Sequence, residues 1–307
     1  VNPGLDFCRE SSIRTGESLA GEGVGPATYW IFVEDDSVWG AKPPLESGMS
    51  DDWKTALSAV SKLIDTKLLL IRRPRRTSAI STAVDARRVI AWRVDCGGGR
   101  RVEKRFGNAE AFAGFEWKRE LDSAEIVSVD KVELFVCTHG TRDRCCAKWG
   151  MPVFDAILPI LGDSVWQTSH LGGHRFAATL VAFPLGYSFG RMQPDGVESC
   201  VAALRNGRVD ALEHLRGRLF LDPFAQVAEI KAIGDEGREP SDFLFFRTTV
   251  VQESENESEA EVEIDLRGVT TPSRYKVRRR QVAAMTIGSC GDESARPIQT
   301  FEAAKLP

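Results

Sequence analysis

The sequence predicts an α/β fold: two related units followed by a C-terminal β extension. Three observations point there. Short β-forming runs alternate with helix-period stretches up to about residue 235. The order strand, helix, strand, strand, helix occurs twice. Beyond residue 235 only strand-like runs follow. The expected units are therefore 1–125, 126–235 and a β-rich 236–307.

In the first unit Tyr29–Val33 reads as a buried strand. Ser50 caps a helix over 51–65 that turns Trp53, Ala56, Leu57, Val60, Leu63 and Ile64 to one side. Lys67–Ile71 and Val89–Val94 are strands, and Cys96-Gly-Gly-Gly99 ends the latter in a turn. Residues 109–121 are helical.

The second unit opens with a strand at Val132–Val136 and a cysteine-bearing loop. Pro152 fits the first turn of the following helix. Strands at 165–168 and 178–183 flank a histidine-bearing loop, and a third covers 187–192. Helices are expected at 195–204, 210–215 and, after the Asp222-Pro223 cap, 224–233. In the tail, 243–252, 260–266 and 275–282 read as strands with an acidic hairpin tip at Glu253–Glu259. Residues 289–307 read as loosely structured.

Composition narrows the function. The chain has 307 residues, 42% hydrophobic and 27% charged, so a packed core is expected rather than disorder. A net charge of -4 argues against nucleic-acid binding. No apolar run approaches the ~20 residues of a membrane helix, and no secretory leader is evident. Seven cysteines, two of them adjacent, suit a reducing cytoplasm better than a disulfide framework.

Three of the seven cysteines and three of the four histidines fall in two short segments. These are Cys137-Thr-His-Gly-Thr-Arg-Asp-Arg-Cys-Cys146 and His170-Leu-Gly-Gly-His174. Thiolate and imidazole are the ligands of zinc and of iron–sulfur clusters. Gly172-Gly173 favour a loop that wraps a bound group over a helical face. Spacing alone leaves several readings: an iron–sulfur centre, a Cys2His2 zinc site, a reactive thiol near His139, or buried structural thiols. Cys200 reads as core, and Trp92, Phe243, Phe245 and Phe246 as core aromatics. Arg142 and Asp143 are expected to pair within the cysteine loop or to bond cluster sulfur. The arginines at 72–76, 100–101 and 278–280 read as solvated charge, with docking of an acidic partner the sharper option.

The paired motif, from Cys137 through Arg142-Asp143 and Cys146 to Gly150 and from Ser169 through Ala177, resembles the sucrase/ferredoxin-like family. Weaker likeness extends to Trp30, Trp39-Gly40, Gly186, Gln226–Glu229 and Ser289-Cys290. The resemblance implies two thioredoxin-like units, the second holding a [2Fe–2S] cluster on Cys137, Cys146, His170 and His174. The motif register implies Cys146 as the ligand rather than Cys145. It implies an electron carrier rather than an enzyme, one iron on the cysteines and the other on the histidines, and an unidentified redox partner. The alternatives are a Cys2His2 zinc protein acting as a structural or interaction module and, third, a thiol oxidoreductase using Cys137 and Cys146, which lacks the short Cys-x-x-Cys spacing. Two imidazoles in place of thiolates raise the reduction potential, as in Rieske centres.

Overall fold

The computed structural model describes residues 7–73 and 86–307. The fold is mixed α/β. A nine-stranded sheet carries helices, and a second sheet of four strands follows it. In chain order the large sheet contains β1 (Tyr29–Glu34), β2 (Thr66–Arg72), β3 (Arg87–Asp95), β4 (Gly98–Phe106), β5 (Glu133–Cys137), β6 (Val165–Thr168), β7 (Leu180–Phe183), β8 (Tyr187–Phe189) and β9 (Leu215–Arg218). Their spatial order is β4-β3-β1-β2-β6-β5-β7-β8-β9.

The two halves share one pairing pattern. β1 runs parallel to β2, antiparallel to β3, and β3 antiparallel to β4. β5 runs parallel to β6, antiparallel to β7, and β7 antiparallel to β8. The halves meet through β2 and β6, antiparallel, at Ile71↔Thr168 and Arg72↔Gln167. One sheet therefore crosses the expected boundary near residue 125.

Strand alternation sends side chains to two faces. On one face Trp30, Phe32, Trp92, Phe135, Trp166 and Phe183 from both halves form a single cluster. Phe32 and Phe135 stack at 3.7 Å. On the other, Ile31, Val33 and Leu70 pack under α2 (Asp51–Val60), α3 (Ala109–Ala113) and α4 (Trp117–Ser123). Leu134, Val136 and Val165 pack under α5 (Arg144–Leu161) and α6 (Val197–Arg205). By length and composition 144–164 would suffice for a membrane span, but α5 buries Val153, Phe154 and Ile157 in this core.

α7 (Pro223–Glu236) links the sheets. Asp222 caps it by accepting from the Phe224 and Ala225 N–H groups. It packs on the second sheet, β10 (Phe243–Glu253), β11 (Glu257–Leu266), β12 (Ser273–Ile287) and β13 (Ala295–Lys305).

Several elements differ from expectation. A short helix, α1 (Cys8–Arg14), was not anticipated. α2 ends at Val60, because Asp65 turns the chain with φ 61 and accepts from Thr28 N–H, leaving Leu63 and Ile64 exposed. The helix expected over 109–121 is two, parted at Gly114. Pro152 lies inside α5, not in its first turn. The strand expected over 187–192 stops at Phe189, followed by Arg191 at φ 53. In place of the helix at 210–215, a 3-10 turn (Leu212–His214) leads into β9.

Two further strands were missed. β4 is charged because Arg88, Arg101 and Glu103 pair along the rim. β13 pairs with β12 through eleven register positions where loose structure was expected. Glu257 and Glu259 sit within β11 and pair with Arg280 and Arg278, which consumes that basic cluster internally. Arg72 and Arg73 lie over Trp39 and Trp166, and Pro74–Arg76 fall outside the described residues. Phe243 is buried, but Phe245 is exposed on the open face of β10.

Candidate metal centre

β5 and β6 are neighbouring parallel strands with Cys137 opposite Thr168. Their C-terminal ends therefore leave the sheet side by side. The loop after β5 carries Cys137 into α5. The loop after β6 carries His170 and His174. Parallel pairing is what places two loops, some thirty residues apart in sequence, over one spot.

Asp143 starts α5 by accepting from Cys145 N–H at 2.8 Å, so Cys145 and Cys146 stand in the first turn. That end of the helix favours negative charge. Gly150 lets the helix approach: a Cβ there would lie 2.1 Å from the Cys137 carbonyl oxygen. The loop is anchored to the first half of the sheet. His139 Nε2 donates to Gly40 O at 2.8 Å, and Thr141 Oγ1 donates to Trp39 O at 2.8 Å. His139 thus serves the scaffold rather than a neighbouring thiol.

The histidine loop is shaped by glycine and arginine. Gly173 has φ 67, and a Cβ there would meet the Arg216 guanidinium at 2.4 Å. Arg216 donates to Gly172 O and Glu22 O, and burial lowers its pKa to about 10. Arg175 pairs with Glu17 and Glu22 at 2.8 Å each.

The Cys137, Cys146 and His170 donor atoms lie within 4.8 Å of one another. Cys146 Sγ is 3.7 Å from His170 Nδ1. Both thiols are buried, each 1% exposed. The Cys146 thiol and the nearby His170 hold Cys137 well below the usual thiol range. Cys146, hydrogen-bonded to Cys137 and buried, keeps its proton.

The His174 ring stands 5.2 Å from that of His170, centroid to centroid. Its Nδ1 faces Asp143 Oδ2 at 3.2 Å. Burial lowers its pKa, with Asp143 opposing. A carboxylate on one imidazole nitrogen orients the other as a ligand. Asp143 spends its oxygens on the helix cap and His174 rather than on Arg142. Both histidines are partly exposed, and His170 opens onto a cleft of about 420 Å³ lined by Lys42, Lys67 and Arg142.

Of the four residues singled out from sequence, three share one donor cluster and the fourth stands beside it. Sequence reasoning missed Asp143 as the brace of His174 and Arg216 as the support of the loop. Cys145 points away from Cys146. It meets Cys8 and Cys290, which had read as scattered.

The sucrase/ferredoxin-like family model matches residues 37–217, more than half of the chain. No curated protein matches. Among solved structures, the wild-type thioredoxin-like [2Fe–2S] ferredoxin from Aquifex aeolicus aligns at 19% identity and TM-score 0.25, covering 28% of this chain and 97% of that one. A second structure of a thioredoxin-like [2Fe–2S] ferredoxin from Aquifex aeolicus gives 19% identity, TM-score 0.25, and coverage of 28% and 91%.

Proposed function

The chain belongs to the sucrase/ferredoxin-like family, and on that premise we propose that it is an electron-transfer protein. Cys137, Cys146, His170 and His174 would hold a [2Fe–2S] cluster. The observation that carries this reading is the meeting of two buried thiols with a histidine loop at adjacent parallel strand ends. The donor set suits the group: soft thiolate and imidazole, four ligands in all. When bound, the cluster takes up and releases single electrons.

The residues around it have separable tasks. Cys137 ionises readily, which prepares it to bind iron. Burial of both thiols keeps water from their side of the site. Asp143 holds the His174 ring and its Nδ1 proton. The histidines face the outside, where electron exchange with a partner is shortest. Lys42, Lys67 and Arg142 line the cleft beside His170 and favour an acidic redox partner. A cytoplasmic location belongs to the same proposal, since thiolate ligands need reducing surroundings.

Zinc at the same residues is the second reading, favoured by the compactness of the Cys137, Cys146 and His170 donors. Anaerobic purification decides between them. Red-brown protein with iron and acid-labile sulfide in equal amounts supports the cluster. Colourless protein that carries zinc on Cys137 and Cys146 overturns it.

A further inference from the structure

A second group of metal-ligating side chains lies on the far side of Asp143. Cys8 opens α1, Cys145 stands in the first turn of α5, and Cys290 sits between β12 and β13. Their sulfurs form a triangle: 3.3 Å from Cys8 to Cys145, 3.1 Å from Cys145 to Cys290, and 3.6 Å from Cys290 to Cys8. Asp143 Oδ1 lies 3.7 Å from Cys8 Sγ. All four donors fall within 4.8 Å of one another, and all four residues are buried, from 0% to 8% exposed.

We propose that Cys8, Cys145, Cys290 and Asp143 form a separate, closed metal site that takes one Zn²⁺. Tetrahedral zinc binds sulfur at about 2.3 Å, which sets sulfur–sulfur edges of roughly 3.8 Å. The triangle reaches that size when its edges lengthen by about 0.2, 0.5 and 0.7 Å. A disulfide would use two of these sulfurs and leave the third without a partner. A multinuclear cluster has to fit between its ligands, and sulfurs in mutual contact leave room for one ion. Zinc is the thiophilic divalent cation that accepts three thiolates and an oxygen without redox chemistry.

The surroundings are those of a thiolate site. The Arg9 and Cys8 backbone N–H groups donate to Cys145 and Cys290 sulfur. Asp143 is already oriented: Oδ1 accepts from Cys145 N–H, and Oδ2 accepts from Cys290 N–H at 2.9 Å and Ser289 Oγ at 3.0 Å. Ala177 and Ile287 complete an apolar wall. His174 Nδ1 stands 3.5 Å from Cys8 Sγ, but its partner is Asp143 Oδ2, so the carboxylate takes the fourth position. The site would fasten α1, α5 and the β12–β13 turn together. It would also fix the carboxylate that braces His174. This site is separate from the neighbouring centre, whether that centre holds iron or zinc.

The test is zinc and iron content of the full chain produced with Zn²⁺ supplied, for the wild type, Cys8→Ser, Cys290→Ser and Cys137→Ser. Cys8→Ser and Cys290→Ser should each lose one zinc per chain relative to wild type, with retention weakened at least about tenfold, and keep the metal of the neighbouring centre. Cys137→Ser should show the reverse. If the first centre holds zinc instead of iron, the wild type carries two zincs and Cys8→Ser still loses only one. Where a variant does not fold, iron-loaded wild type produced with Co²⁺ in place of Zn²⁺ gives the answer by sulfur-to-cobalt charge-transfer absorption. Zinc content unchanged in Cys8→Ser and Cys290→Ser, loss of iron alone in those variants, or no charge-transfer bands with Co²⁺ would each overturn the proposal.

Discussion

Adjacent residues Cys145 and Cys146 have opposite surroundings. One helical position turns a side chain by about 100°. Cys146 consequently reaches Cys137 and His170, while Cys145 reaches Cys8 and Cys290. Cys146→Ala should therefore abolish iron binding, and Cys145→Ala should leave the visible absorption largely intact. Iron assay and absorbance of both variants check this. Bleaching in Cys145→Ala with colour kept in Cys146→Ala would reverse the assignment. The motif register from Arg142-Asp143 to Gly150 favours Cys146, and the physical reason is which way the first turn of α5 faces the sheet.

At the scale of elements, the contact of α5 with the end of β5 sets the cysteine spacing. Gly150→Ala would drive a methyl into the Cys137 carbonyl. The helix has to retreat, at a cost of about 1–3 kcal/mol typical of overpacking. We expect a lower Tm and reduced iron retention in that variant, read by thermal unfolding and iron assay. An unchanged Tm would mean that helix and strand adjust freely.

A second element contact joins β9 to α7. Arg218 Nε lies 2.5 Å from Glu229 Oε1, both side chains are buried, and the Tyr187 hydroxyl donates to the same carboxylate. Arg218→Met strands a buried carboxylate and should destabilise by about 3–5 kcal/mol. Replacing both, Arg218→Met with Glu229→Leu, should recover most of that loss. Urea unfolding of the two variants tests the pair. A double variant no more stable than the single one would show that packing, not charge, holds the junction.

If the chain carries the proposed cluster, the whole molecule couples electron transfer to protons. His170 and His174, as ligands of a centre that gains an electron, would hold their ring protons more tightly than before. Proton uptake on reduction favours the reduced state at low pH and disfavours it at high pH. The reduction potential should therefore fall as pH rises through the imidazole range, with a limiting slope of about 59 mV per pH unit for one proton per electron. Voltammetry from acidic to alkaline pH measures it. A potential flat across that span would remove both histidines from the metal. The fold makes such coupling accessible: the thiols are buried, and the imidazoles meet solvent.

The sequence by itself determined the α/β class, most central strands, the Asp222 cap of α7, and the pairing of cysteines with histidines. These are local properties. A buried strand is an apolar run, a cap is a side chain next to its helix, and a ligand pair on one loop is a spacing. What needed the tertiary structure is of another kind. β4, β9 and β13 carry charged residues that become strand-like only when Arg88, Glu229 or β12 stand opposite. Asp143 reads as a loop carboxylate until His174 arrives beside it. Cys8, Cys145 and Cys290 lie 137 and 145 positions apart along the chain. No period or spacing connects them, since contact at that range is decided by how the sheet, the helices and the tail close on one another.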